Sequence, residues 1–166
     1  MIDDNKFGLL APRALAWAKS QEELILKYGS PLGPTQSQDA ERAGVQDIDR
    51  IRVLVVDRIP MPEDEELADA ARRAQIITEA SQGIALGHGI AIRASSWQDR
   101  TLLVHCLVHV AQCERSGGLD AFVPEYLSDR NSSADFSIGS LEEEARGTAR
   151  DICEDETART FARRQS

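Results

Sequence analysis

The chain has 166 residues, 42% hydrophobic and 28% charged, which is the composition expected of one globular domain able to bury its own core. Its 28 acidic residues against 19 Lys and Arg give a net charge of −9, which repels a phosphate backbone and argues against nucleic acid as a partner. No apolar run reaches the roughly 20 residues that cross a bilayer, and the acidic start "MIDDNKFGLL" lacks a signal peptide's layout, so no membrane partner and a cytoplasmic location are expected.

The expected organisation is a single domain over residues 1–166, with 1–11 and 155–166 as flexible tails. Residues 12–29 read as an amphipathic helix, with Pro12 in its first turn and Gly29 as its C-terminal cap. A turn-rich connector, "SPLGPTQSQ", leads to a short helix at 37–44 that Gly44 ends. "IRVLVVD" (51–57) is β-branched and reads as a buried strand. Pro60 and Pro62 make a loop, and the acidic residues 63–66 then open a helix to about Thr78, where they suit the positive end of its dipole.

"GIALGHGIAIR" (83–93) alternates as one strand would. Ile84, Leu86, His88, Ile90 and Ile92 point one way; Ala85, Gly87, Gly89 and Ala91 leave the other face nearly bare. Glycines in a strand mark a close approach of another backbone, so this segment reads as a sheet edge able to receive a peptide or protein ligand, with Gly87, His88 and Gly89 at the border of a cleft. A bulged or twisted strand would show the same pattern.

Residues 95–118 form a helix that starts near Ser95 or Ser96 and ends at Gly117-Gly118. Leu102, Leu103, Val104, Leu107, Val108, Val110 and Ala111 make it apolar on almost every side, as in the middle of a domain. A short helix follows at 119–129, then a loop at 128–137 and a long polar helix at 140–164. Helices thus alternate irregularly with a few strands, which predicts an α+β fold with a small sheet packed on the central helix.

That central helix carries His105 and His109, one turn apart and on one face. Imidazoles in apolar surroundings need partners, supplied by hydrogen bonds or by a metal ion. The three cysteines, Cys106, Cys113 and Cys153, form no disulfide framework; Cys106 and Cys113 would stand about 10 Å apart along one helix, too far to bridge.

The stretch "LLVHCLVHVAQCERSGGLDAFVPEYL" resembles the active-site helix of small zincin-type (gluzincin-like) metallopeptidase-like proteins, in which a HELVHVAQYERLGG-like helix carries zinc ligands. "GIALGHGIAIR" and "LEEEAR" resemble the flanking edge strand and the later E-x-x-A segment. The resemblance runs over about residues 13–150 and is strongest over 83–146. It implies a zincin-like fold and one zinc ion held by His105, His109 and Glu142. Glu144 is the second choice for the third ligand and Glu143 the third, since Arg146 stands where the pattern has aspartate. These glutamates also read as a solvated acidic first turn after Ser140.

Cys106 stands where zincins have the general-base glutamate. It is shorter, and a thiol of ordinary pKa near 8.5 is mostly protonated at neutral pH. The implied function is a zinc-binding protein with a degenerate site, HCLVH, lacking normal peptidase activity. Two alternatives stay open: a hydrolase using Glu143, Glu144 or Glu114 as base, and a metal-free interaction module. His88 reads either as a ligand contact or as a histidine satisfied in the core, and Cys113, Trp97 and Tyr126 as packing residues.

Overall fold

The structure is a computed structural model that describes residues 3–132 and 138–165. Among these residues it is a mixed α+β fold of six α-helices and one three-stranded sheet. In chain order these are α1 (Asp4–Tyr28), α2 (Pro34–Ala43), β1 (Arg52–Val56), α3 (Glu65–Arg73), β2 (Gly83–Leu86), β3 (Gly89–Arg93), α4 (Arg100–Ser116), α5 (Leu119–Ser132) and α6 (Ser140–Gln165). None of the helices, among the described residues, is long and apolar enough to cross a membrane.

Both segments expected as tails are helical where described. The Asp3 side chain accepts the Lys6 N–H at 2.8 Å and starts α1 eight residues ahead of the position expected from Pro12, which lies inside the helix. Pro12 forfeits one intrahelical bond, and the long apolar side of the helix outweighs that local signal. Similarly, α2 starts inside the expected connector because Pro34 suits a first helical turn and Gln36 Oε1 accepts the Gly33 N–H at 2.9 Å. The acidic helix is shorter than expected: Asp64 caps Leu67 N, and α3 stops at Arg73, before Gln75 at φ 55°. At the other end of the domain, α5 takes up the first part of the expected loop; residues 133–137 of that loop lie outside the described residues.

The segment 83–93 departs most from expectation. It is a hairpin, not one strand, because Gly87 adopts φ 63° and the chain reverses at Gly87-His88. A two-residue turn changes which residues share a face. Ile84 lies opposite Ala91, and Ala85 opposite Ile90, so the apolar side chains divide between both faces. The sheet order is β1-β3-β2, with β3 parallel to β1 and antiparallel to β2. Residues 89–93 are therefore the centre of the sheet, and only the 83–86 part of this segment forms an edge. The strand at 51–57, expected to be buried, is the other edge: Val53 is buried while Val55 is 44% exposed.

Helices cover both faces. Ile90 and Ile92 pack with Leu103, Leu107 and Val110 of α4, whereas Leu86 and Ala91 pack with Ala18 and Ile25 of α1. The glycines make room for these helices rather than for a ligand. A methyl added at Gly89 would lie 3.0 Å from Ile25 Cβ, and one at Gly83 would lie 3.2 Å from Leu102 Cδ1. The result is a sheet held between α1 and α4, with α2 and α6 against the far side of α4.

Candidate metal centre

Helix α4 sets the site. Asp99, not Ser95 or Ser96, caps it by accepting the Leu102 N–H at 3.0 Å, and Gly117 ends it at φ 97°. This fixes the helical phase that turns His105 and His109 toward α6. Helix α6 is started by Asp129 of α5, whose carboxylate accepts the backbone N–H groups of Ser140 and Leu141, each at 3.1 Å. Glu142 therefore sits in the first turn of α6, at its positive dipole end and opposite the two imidazoles.

There the structure brings three side chains together. His105 Nε2 lies 3.1 Å from Glu142 Oε2, His109 Nε2 lies 3.1 Å from Glu142 Oε1, and the two Nε2 atoms are 3.1 Å apart. Among the described residues, this His105–His109–Glu142 group could hold a metal ion, with one ligand atom from each residue within 4.8 Å of the others. Side-chain exposures of 22%, 11% and 14% leave His105 as the most accessible member.

Burial by itself would raise the Glu142 carboxyl, but hydrogen bonds with His105, His109 and Tyr126 outweigh it and hold the group far below the ordinary carboxylate range. It is an anion at neutral pH. The Tyr126 hydroxyl donates to Glu142 Oε1 at 2.6 Å, and burial together with that negative charge pushes the phenol upward, so it stays a donor.

Behind His109 is a further set of contacts. Gln112 is 1% exposed, and its Oε1 lies 2.8 Å from His109 Nδ1. Its Nε2 donates to Leu141 O and to Glu144 Oε2, both at 2.9 Å. Arg115 pairs with both oxygens of Glu144, at 2.8 and 2.9 Å. Glu144 is thus engaged away from the cluster and is not one of its three ligand residues, and Glu143 is exposed. Tyr126 and Gln112, the two residues that orient the cluster, were not anticipated. Gln112 had a signal, because it follows His109 by three residues on the same helical face. Tyr126 had none, since its contact with α6 depends on how α5 returns.

Cys106 is fully buried in the apolar cluster between α4 and the sheet, and a methyl at Gly83 would lie 3.3 Å from its Sγ. Burial, then the charge of Glu142, pushes its thiol up to about 12. It remains protonated and takes no proton from water at neutral pH. Cys113 is buried between α4 and α1, and its thiol is likewise pushed up to about 12. Trp97 is a surface residue, 37% exposed.

The residues expected at a cleft are packed elsewhere. A methyl on Gly87 would fall 2.2 Å from Glu22 Oε1, and Gly89 abuts Ile25, so both face α1. His88 forms the hairpin turn; its N–H donates to Glu22 Oε1 at 3.0 Å, and its Nε2 lies 2.8 Å from Glu114 Oε1. Glu114 also accepts the Gln46 and Asp47 N–H groups, at 2.7 and 3.0 Å. It lies five residues beyond His109, about 140° round the helix, and faces away from the cluster. No family model matches the chain, and no curated protein or solved structure matches it either.

Proposed function

We propose that this chain is a zincin-like, zinc-binding protein whose site lacks the general base of a peptidase. The convergence of two imidazole Nε2 atoms and one carboxylate carries this reading. Zinc held tetrahedrally at about 2.0–2.1 Å brings neighbouring ligand atoms to about 3.3 Å of one another. The three separations of 3.1 Å already approach that spacing. Two nitrogens and one oxygen are also the donor set of zinc sites that keep an open position.

A bound zinc ion supplies Lewis acidity. The chain's residues then hold and orient: His105, His109 and Glu142 ligate, Tyr126 fixes the carboxylate, and Gln112 fixes one ring. Among the described residues, no carboxylate expected as a substitute base is poised in place of Cys106. Glu114 and Glu144 are committed to other donors, and Glu143 faces outward. The engagement of Glu114 and Glu144 elsewhere supports binding over turnover. An extended peptide or protein ligand would suit β2, the strand that packs on α4 and has β3 on one side only among the described residues.

The test is metal analysis of the purified protein with a peptidase assay on the same sample. About one zinc per chain, lost in His105→Ala, and no hydrolysis are expected. No zinc would leave a metal-free module. Hydrolysis by the wild type, abolished in His109→Ala, would make the chain an active enzyme.

A further inference from the structure

We infer that Asp129 is a positioning residue: from α5 it fixes the first turn of α6, and so decides whether Glu142 stands against the two imidazoles. The two halves of the cluster are built differently. His105 and His109 lie within α4, whose first turn Asp99 caps and whose inner side packs on the sheet. Glu142 is the third residue of α6, in the turn where a helix leaves its first four backbone N–H groups without partners of their own. The residue before that helix is Gly139 at φ 87°. A side chain there would be strained, so α6 is poorly placed to supply its own cap.

The cap comes from another helix. The Asp129 carboxylate accepts the Ser140 and Leu141 N–H groups, each at 3.1 Å, and the Ser140 hydroxyl donates to it at 2.8 Å. Positions 126, 129 and 130 share one face of α5. Tyr126 donates to the Glu142 carboxylate, and Arg130 Nη1 donates to Ile138 O at 2.7 Å. Arg130 thus holds the approach to α6, Asp129 its first turn, and Tyr126 the carboxylate itself. Further along α6, Ala145 and Ala149 are buried, at 0% and 1% exposure. That packing keeps α6 docked when its first turn frays. Loss of the Asp129 cap therefore releases Glu142 and leaves a two-histidine site on a folded protein.

The effect on affinity rests on the proposed metal site; the capping can be read without it. The test combines amide hydrogen exchange of the metal-free protein with zinc titration. Asp129→Ala should exchange faster at residues 140–142, with α4 unchanged, and bind zinc about 10-fold more weakly. Asp129→Asn, which keeps one oxygen acceptor, should restore part of both. Asp64→Ala is the control, because it uncaps α3, a helix without a ligand residue, at the Leu67 N–H. Its zinc affinity should match wild type. Wild-type affinity in a folded Asp129→Ala overturns the inference, as does an equal loss in Asp64→Ala. If Asp129→Ala does not fold, Asp129→Asn against Asp64→Asn decides by the same two criteria. If the wild type binds no zinc, the metal proposal falls and exchange decides alone. Faster exchange at 140–142 then upholds the placement of Glu142 by Asp129, and unchanged exchange overturns it.

Discussion

Helix α4 holds two histidine–glutamate arrangements on different faces, and they are built for opposite ends. On one face Glu114 meets His88 at 2.8 Å and also accepts the Gln46 and Asp47 N–H groups. Three donors meet one carboxylate, and the arrangement closes, tying the hairpin turn and the chain after α2 to α4. On the other face Glu142 meets two imidazoles and the Tyr126 hydroxyl, and three possible ligand atoms converge on one point. Exposure does not separate the two, at 13–14% for the first pair and 11–22% for the second cluster. The difference lies in the leftover bonding capacity. A histidine beside a carboxylate is a latch when backbone donors consume the oxygens, and a candidate site when lone pairs point together.

The sharpest way to break this contrast is to remove one carboxylate at a time. Glu142→Ala should abolish zinc uptake, whereas Glu114→Gln should retain about one zinc per chain, both read by elemental analysis after dialysis. Equal loss in both variants would erase the distinction. The same pair should differ in the reverse sense in stability. Glu114→Ala removes the hydrogen bonds from His88 and from the exposed Gln46 and Asp47 N–H groups, so its denaturation midpoint should correspond to a loss of about 1 kcal/mol. Retention of full stability would mean that the latch holds nothing.

Acid titration sharpens the latch further. Burial would raise the Glu114 carboxyl, but the Gln46, His88 and Asp47 hydrogen bonds lower it below its ordinary value of 4.5. A depressed folded pKa contributes stability above the unfolded value, and that contribution is lost as pH falls through the folded one. Wild type should therefore lose more stability than Glu114→Gln as pH drops below 4.5. Parallel pH curves would contradict the assignment.

Smaller effects belong to residues that support the cluster without ligating. Tyr126→Phe removes one donor to Glu142, and calorimetry should give about 10-fold weaker zinc binding. Cys106→Ser, which changes a thiol packed against Gly83, should leave zinc affinity unaltered and cost about 1 kcal/mol in stability for an added buried hydroxyl. A large loss of affinity there would place Cys106 in the site after all.

Much of the fold was legible where the signal is local. The apolar run 102–111 announced a central helix, and the spacing of His105 and His109 put both rings on one face. The β-branched run after Ile51 marked a strand, and Gly44 and Gly117 marked helix ends. Errors arose where two local patterns coincide. Residues 83–93 alternate, yet Gly87 turns the chain and reverses the parity of everything after it. The bare positions Gly87 and Gly89 suggested a ligand, while the close neighbours are Glu22 and Ile25, both of α1. Pro12 suggested a helix start, but Asp3 provides a cap further upstream.

By itself, the sequence determined the helix phases, the shared face of His105 and His109, and an acidic first turn at 142–144, because these follow from residue spacing along one element. Only the tertiary structure decided that Glu142 meets the imidazoles while Glu144 goes to Arg115, and that Gln112 and Tyr126 orient the cluster. Those contacts depend on how α5 and α6 dock against α4, and docking is set by packing summed over many distant side chains. No spacing within a single segment encodes that sum.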